Sequence, residues 1–290
     1  MDKQAVKAYS DNLGNHIRCV DITKVNFKKL CGKIDGLIGG PPCQDFSVAG
    51  KGAGESGERG KLVWDYLNKV DELKPKWFLF ENVKGIVSKK HIHTFEGLVQ
   101  EFTKLGYTVY WKVLNAWHYG VAQKRERVFI VGMRNDLGVT FEWPKEWPEH
   151  KWRVLRDVIS GLPELNNESM GELPQYTLDR LKSKSISNSG QENVRVFDVN
   201  KPAHTITNNI GNNPHQFLIN HYGLRKLNKR LRRFTVRECM RIQSIPDWYV
   251  FKDDISLSAQ YRIIGNGVPC LLAYQLARQI VKVFKGAAGC

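Results

Sequence analysis

The chain has 290 residues, of which 42% are hydrophobic and 25% are charged, as is ordinary for a folded globular protein. Its formal net charge of +15 is not ordinary and favours a polyanionic partner such as nucleic acid, although a basic protein without such a partner stays open as an alternative. The six cysteines are scattered without a Cys-x-x-Cys pair and no apolar run reaches roughly 18 residues, which argues against a disulfide framework, a zinc site and a membrane span.

Short apolar runs alternate with helical periodicity through the first half of the chain. The runs KIDGLIGG, KWFLFENV, YTVYWKVL and RVFIVGM predict strands. Helices between the first three are predicted by apolar residues at helical spacing, namely Leu62, Tyr66, Leu67, Val70 and Leu73, then Phe95, Leu98, Val99, Phe102 and Leu105. Repeated β-α-β units of this kind predict an α/β fold with a doubly wound, mostly parallel sheet that carries its chemistry at the carboxyl edge.

The second half divides into a loop-rich region and a final helix. Residues 160–230 are rich in Asn, Ser, Gly and Pro and hold few long apolar runs, which predicts a smaller, irregular domain. Helical spacing of the apolar residues in GVPCLLAYQLARQIVKVF then predicts an amphipathic helix that packs back on the first domain. We predict one domain over 1–157 plus 256–290 and a second over 158–255.

A cysteine stands directly behind two prolines in IGGPPCQDFS, at the end of the first predicted strand. Gly39 and Gly40 let the backbone turn freely, and Pro41 and Pro42 then fix φ and remove two amide donors. The result is a rigid arm that holds Cys43 at the rim of the sheet. From these residues alone, Cys43 is either a nucleophile or a buried structural thiol, and the motif favours the nucleophile without deciding it.

Polar residues in two later segments could assist a nucleophile. Glu81 ends an apolar strand, where partial burial would raise its pKa and let it hold a proton near neutral pH. Gln123, Arg125 and Arg127 alternate, so the two arginines are expected on one face of an entering strand, where they could bind phosphate or a base carbonyl. A salt-bridged carboxylate and an ordinary solvated strand are the alternatives.

Five segments, in this order, resemble motifs of the DNA (cytosine-5) methyltransferase family. The matching residues are Pro42-Cys43-Gln44; Glu81-Asn82-Val83; Gln123, Arg125 and Arg127; Arg237, Glu238, Arg241, Gln243 and Pro246; and Gly265, Asn266 and Val268. The segment KPAHTIT also resembles the Pro-x-x-Thr-x-Thr strand of the family's target-recognition region. The resemblance covers essentially the whole chain and is to bacterial restriction–modification enzymes, which implies a bacterial, cytoplasmic protein associated with the nucleoid through DNA.

The resemblance implies methyl transfer from S-adenosylmethionine to C5 of a cytosine that is flipped out of double-stranded DNA. Cys43 would attack C6 of the base, and Glu81 would hydrogen-bond the N3 edge and supply a proton. Arg127 matches the family arginine near the base carbonyl, and Arg125 is its neighbour. These four residues are the expected catalytic set.

The resemblance also assigns binding residues and makes 158–255 a target-recognition domain. For the cofactor they are Asp21, Ile22, Pro41, Leu62, Asn266 and Val268. For DNA they are Gln44, Ser47, Gln123, Thr205, Arg230, Arg232, Arg233 and Arg237, and the basic run LRKLNKRLRR supplies three of them for phosphate contact. A solvated surface face is the alternative for this charge run.

The chain departs from the family pattern at its N-terminus. A Phe-x-Gly-x-Gly loop and the acidic residue of the second family strand have no counterpart, and MDKQAVKAYSDN resembles the helix that follows that strand. We therefore expect an incomplete first domain with a half-built cofactor site. Three hypotheses stay open: a second polypeptide supplies the missing strands, the chain is a truncated enzyme, or it is a non-catalytic DNA-binding paralogue. Methylation of transfer RNA is a further alternative, since one branch of the family acts on it.

Overall fold

In the computed structural model of the chain, residues 2–42, 61–162, 196–208, 218–220 and 231–287 are described, without the side chains of 61, 196, 218–220, 231–233 and 286–287. The chain divides into two compact units. Unit 1 comprises Met1–Cys19, Ala116–Arg125 and Glu146–Tyr274, and unit 2 comprises Val20–Asn115, Glu126–Lys145 and Gln275–Cys290. The recognition domain predicted over 158–255 lies inside unit 1, and its separate status stays a prediction.

The described residues form helices, strands and single 3-10 turns. The helices are α1 Lys3–Leu13, α2 Lys61–Leu73, α3 Ile92–Lys104, α4 Leu155–Ile159, α5 Val236–Ile242, α6 Leu257–Asn266 and α7 Cys270–Ala287. The strands are β1 Gly36–Gly39, β2 Trp77–Val83, β3 Tyr107–Asn115, β4 Gln123–Lys124, β5 Glu126–Arg134, β6 Val196–Asp198, β7 Ala203–His204, β8 Leu218–Asn220 and β9 Leu231–Arg233. The 3-10 turns are Ile22–Lys24, Lys28–Leu30, Lys84–Val87, Ala116–Tyr119, Asn135–Leu137 and Glu149–Lys151. Within the described residues, no helix has the length and hydropathy that crossing a membrane would require.

Unit 2 is built on a four-stranded sheet in the order β1-β2-β5-β3. β1 and β2 are parallel, and β5 is antiparallel to both of its neighbours, β2 and β3. It follows that β1, β2 and β3 run in one direction and β5 alone is reversed. The predicted α/β fold is confirmed, and the sheet is mixed because β3 and β5 form an antiparallel pair.

Helices cover both faces of this sheet, and apolar side chains of β2 point alternately to the two faces. Phe78 and Phe80 are buried on one face, in a core formed with α2 and α3. Leu79 points to the opposite face, where Ile280 of α7 packs in a second cluster. Since the strand period is two residues, Glu81 follows on the same face as Leu79, at the carboxyl end of the strand. The C-terminal helix thus packs on the first sheet, as the sequence predicts.

Unit 1 has its own core. β4 pairs in parallel with β7, and β6, β8 and β9 form a second small sheet. Residues of α4, α5 and α6 pack around the buried rings of Phe197 and Phe234. α5 begins at a capping box in which Thr235 Oγ1 accepts from the Glu238 amide and the Glu238 carboxylate accepts from the Thr235 amide.

Polar contacts hold α1 against residues 250–262 of the same unit. The pairs run in antiparallel order along the two segments: Asp2 with Arg262, Gln4 with Ser256, Lys7 with Asp254, Asp11 with Lys252 and Asn12 with Val250, at 2.7–3.1 Å. The buried apolar cluster beside them is small, consisting of Ala8, Ile255 and Ala259. α1 is therefore attached largely by charge and hydrogen bonding.

Candidate active site

The arm that follows β1 lies against the carboxyl end of β2. A Cβ placed on Gly40 would be 3.1 Å from Glu81 Oε2, so glycine leaves room for the carboxylate at this point. Asn82, which is buried, donates its side-chain amide to the Pro41 carbonyl at 3.5 Å. Cys43 lies outside the described residues, but Gly40 and Pro41 of the arm that leads to it lie beside Glu81 and Asn82.

Glu81 forms an ion pair with Arg127 of β5. The distance from Arg127 Nε to Glu81 Oε1 is 3.2 Å, and the side chains are 14% and 20% exposed, respectively. Arg127 Nη1 also donates to the Glu126 carbonyl at 2.7 Å, which fixes the guanidinium. The carboxylate that the sequence predicts to hold a proton thus has a guanidinium as its neighbour, and its protonation stays a prediction.

Arg125 lies in a different environment from Arg127. It falls between β4 and β5, is 3% exposed, and donates from Nη1 to the Ile206 carbonyl at 2.9 Å and from Nη2 to the Gly265 carbonyl at 3.1 Å. The expectation that the two arginines share one face of a strand is wrong, because Arg125 lies outside β5, the strand that holds Arg127. The catalytic role predicted for Arg125 stays a prediction, and its contacts favour an effect through position.

The residues predicted to contact DNA from β4 and the segment after β7 differ in exposure. Gln123 is completely buried, with its amide oxygen accepting from the Ile206 amide and its amide nitrogen donating to Gln243. Both polar atoms are used inside the protein, which favours a structural role over direct DNA contact. Thr205 is partly exposed, and its hydroxyl donates to the Lys124 carbonyl at 3.0 Å.

The first two predicted cofactor residues lie together in unit 2. The Asp21 carboxylate accepts from the hydroxyl and the amide of Thr23, and these hydrogen bonds lower the pKa of Asp21. Ile22 beside it is 46% exposed. An ionised carboxylate next to an accessible apolar side chain fits an adenine ring, which offers an amino group at its edge and an apolar face.

The other predicted cofactor residues are divided between the two units. Pro41, on the arm after β1, and Leu62, in the first turn of α2, are partly exposed residues of unit 2. Asn266 is exposed at the end of α6, and Val268 follows the Gly267 C-cap; both belong to unit 1.

The remaining residues predicted to bind DNA are only partly described. Arg237 of α5 donates from Nη1 to the Asp247 and Tyr249 carbonyls, both at 3.2 Å. Arg232 and Arg233 belong to β9, where only the backbone is described. Gln44, Ser47 and Arg230 fall, like Cys43, outside the described residues.

Comparison with known proteins identifies the family. The sequence model of the C-5 cytosine-specific DNA methylases matches residues 1–282. The chain belongs to this family. The methylase is 40% identical over 272 residues to the Type II methyltransferase M.MthTI of Methanothermobacter thermautotrophicus. The aligned region covers 87% of this chain and 79% of that protein. It is 35% identical over 302 residues to M.FnuDI of Fusobacterium nucleatum, covering 96% and 85%, respectively.

Solved structures show the same fold at lower sequence identity. The S. pombe Dnmt2 methyltransferase superposes with a TM-score of 0.72 at 17% identity, covering 97% of the methylase and 88% of that chain. The Entamoeba histolytica methyltransferase EhMeth also gives 0.72, at 18% identity over the same shares. The predicted methyltransferase fold and the identity as a DNA cytosine-5 methyltransferase are thus confirmed, while the roles of single residues stay predictions.

Sequence reasoning missed the partners of Gln123. Its bond to Gln243 joins two of the quoted motifs, which are 120 positions apart in the chain. A glutamine before two arginines does not reveal whether its amide faces solvent or a buried acceptor, so the motif spacing alone could not show this contact.

Proposed function

We propose that the methylase transfers a methyl group from S-adenosylmethionine to C5 of a cytosine flipped out of a specific double-stranded DNA sequence, with Cys43 as the nucleophile. The observation that carries the proposal is the convergence of the Gly40–Pro41 arm, Glu81 and Arg127 at one edge of the unit 2 sheet. Within a chain of this family, such a constellation supports a base-binding site. The base must leave the duplex because C6 is inaccessible inside the stack.

Glu81, Arg127 and Cys43 each have a separate role at the base. Glu81 takes up a proton and donates it to cytosine N3, which offsets the charge that develops when a thiolate adds to the ring. Arg127, which pairs with Glu81 before the base binds, donates to the base carbonyl and stabilises the same charge. The Cys43 thiolate bonds to C6, and C5 takes the methyl group from the sulfonium, which is released as a neutral thioether. The C5 proton then passes to water, the C6–S bond breaks to restore the thiolate, and N3 returns its proton to Glu81.

S-adenosylmethionine supplies the transferable methyl group as a sulfonium. We assign its binding to six residues that are accessible to different degrees: Asp21, Ile22, Pro41, Leu62, Asn266 and Val268. Support comes from the carboxylate of Asp21 and the exposed side chain of Ile22, which suit an adenine edge and face.

DNA binding is supported by the net charge of +15. We assign contacts to Gln44, Ser47, Thr205, Arg230, Arg232, Arg233 and Arg237. Gln123 contributes indirectly, because its amide is committed to Gln243 and Ile206.

A second polypeptide that adds strands beside β1 stays a prediction. Among the described strands β1 pairs with β2 alone, and Ile38 of β1 is 68% exposed, which is unusual for an apolar residue of a sheet otherwise covered on both faces. Light scattering of the purified chain with its genomic neighbours co-expressed tests the idea: a stable heteromer supports it, and an active lone chain contradicts it.

Radioactive methyl transfer tests the proposed function directly. Labelled S-adenosylmethionine is incubated with the purified methylase, with and without its co-expressed genomic neighbours, and with either mixed-sequence duplex DNA or bulk transfer RNA. We expect label in DNA at C5 of cytosine, and none with Cys43→Ser. Transfer to transfer RNA alone, or transfer to DNA that survives Cys43→Ser, would contradict the proposal.

A further inference from the structure

Three polar side chains form a buried cluster in unit 1 that the proposed chemistry does not use directly. Gln123, Arg125 and Gln243 are 0%, 3% and 1% exposed, respectively. They come from β4, from the residue after it, and from the C-cap of α5. Burying three polar side chains costs free energy unless each is hydrogen-bonded, so their hydrogen-bond partners indicate what the cluster holds in place.

Two of these side chains cap the end of α6. Gln243 Nε2 donates to the Ile264 carbonyl at 2.8 Å, and Arg125 Nη2 donates to the Gly265 carbonyl at 3.1 Å. The last carbonyls of a helix have no partner within the helix, and a cation there is also favoured by the helix dipole. The two side chains therefore fix the point at which the chain leaves α6 and enters Asn266–Val268.

The same cluster holds the segment after β7. The Gln123 side-chain oxygen accepts from the Ile206 amide, Arg125 Nη1 donates to the Ile206 carbonyl, both at 2.9 Å, and Gln123 Nε2 donates to Gln243 Oε1 at 3.1 Å. The two segments also touch directly, since a Cβ on Gly265 would lie 2.3 Å from the backbone of Thr207. One group of bonds thus joins both segments.

We propose that Arg125 and Gln243 are positioning residues that hold the segment of Thr205 and the turn Asn266–Val268 in one fixed arrangement. This inference rests on the proposed function, in which Thr205 contacts DNA and the turn contacts S-adenosylmethionine. Its consequence is coupling: loss of either side chain weakens the binding of DNA and of the cofactor together.

Hydrogen exchange and binding of Gln243→Ala test the proposal in the full chain. Gln260→Ala is the matched control, because Gln260 Nε2 also donates to a backbone carbonyl in this region, that of Ile255 at 2.8 Å, but outside the cluster. We expect at least ten-fold faster exchange in both 205–208 and 266–268 for Gln243→Ala only. Calorimetry should show at least ten-fold weaker binding of S-adenosylmethionine, and the KM for DNA should rise at least ten-fold while kcat changes less than three-fold.

A second pair of variants, Arg125→Lys and Arg125→Ala, tests the role of Arg125 in the same measurements. A lysine keeps the charge at the end of α6 but lacks the planar fork that reaches two carbonyls, so we expect partial rescue of exchange protection and of both affinities. Faster exchange in one segment alone, or in neither, would overturn the proposal, as would a fall in kcat with unchanged affinities. An inactive wild-type chain would refute the proposed function instead, and the exchange comparison would still decide the positioning role.

Discussion

Glu81 and Arg127 meet because β2 and β5 are antiparallel. Glu81 stands opposite Phe129 and Val83 opposite Arg127, so the two charged residues occupy diagonal positions on one face of the pair, within reach of a long side chain. Both side chains are largely buried, so this ion pair forms where water screens the two charges only in part.

Arg127→Ala should abolish most activity without unfolding the protein. We expect methyl transfer to fall at least about 100-fold, equivalent to about 2.7 kcal/mol of transition-state stabilisation. Lys84→Ala is the control, since Lys84 makes an exposed pair with Glu126 at 3.0 Å and should leave the rate within two-fold. Initial rates at saturating substrate check this, with the thermal midpoint measured alongside. A kcat within three-fold of wild type for Arg127→Ala would contradict the assignment.

Two glycines should respond oppositely to substitution by alanine. Gly265→Ala forces the backbone of Thr207 to move and should cost about 1–3 kcal/mol in the free energy of unfolding. Gly97 lies within α3, where an added methyl group would meet nothing within 4 Å, so Gly97→Ala should gain about 0.5–1 kcal/mol. Urea unfolding of the two variants measures both. Equal effects would show that the contact between Gly265 and Thr207 is not tight.

Among the secondary-structure elements, periodicity predicts β1, β2, β3 and β5 and the helices α2, α3 and α7, because the apolar spacing within each segment marks its buried face. The sequence pattern does not show in which direction a strand runs or which strand it pairs with. The reversal of β5 depends on a tertiary pairing, and Arg125 leaves the alternation of Arg127 because β4 ends at Lys124 and β5 begins at Glu126. The motifs located Glu81 and Arg127, but only the register of β2 with β5 gives their distance.

The attachment of α1 shows what patterns cannot reveal, since its partners lie about 240 positions away along the chain. Hydrogen bonds from Lys252 and Lys7 lower the pKa of Asp11. A lowered pKa in the folded state means that this carboxylate stabilises the fold above its ordinary pKa of about 4 and loses the effect as pH falls through the lowered value.

Asp11→Asn should therefore destabilise the methylase at pH 6 and destabilise it less at pH 3. At pH 6 the ionised carboxylate holds two lysines that the amide cannot, whereas pH 3 lies below the ordinary pKa of an aspartate, so protonation of Asp11 in the unfolded chain reduces the advantage of the ionised group. Urea midpoints of both proteins at the two pH values test this. A difference between the proteins that persists undiminished at pH 3 would refute the electrostatic account of α1.

The charge of the whole molecule should govern its encounter with DNA. With a net charge of +15, binding releases counterions, and log Kobs should fall linearly with log salt by about 0.9 per phosphate contact. Arg232→Ala and Arg233→Ala should each reduce that slope by about 1 if these arginines contact phosphate. Lys104→Ala, on the exposed end of α3, is the control and should leave the slope unchanged. Fluorescence anisotropy across a salt series gives the slopes, and identical slopes for all proteins would contradict the phosphate assignment.

In the proposed reaction, Cys43 attacks a flipped cytosine beside Glu81 and Arg127. Duplex DNA carrying 5-fluorocytosine at the target position tests this step, because C5 bearing fluorine has no proton to lose after methylation, so the C6–S bond cannot break by elimination and persists. With S-adenosylmethionine present, we predict a denaturant-resistant protein–DNA complex for the wild-type methylase and none for Cys43→Ser. A complex that forms equally well with Cys43→Ser, or its absence in a wild-type preparation that methylates unmodified DNA, would contradict the account.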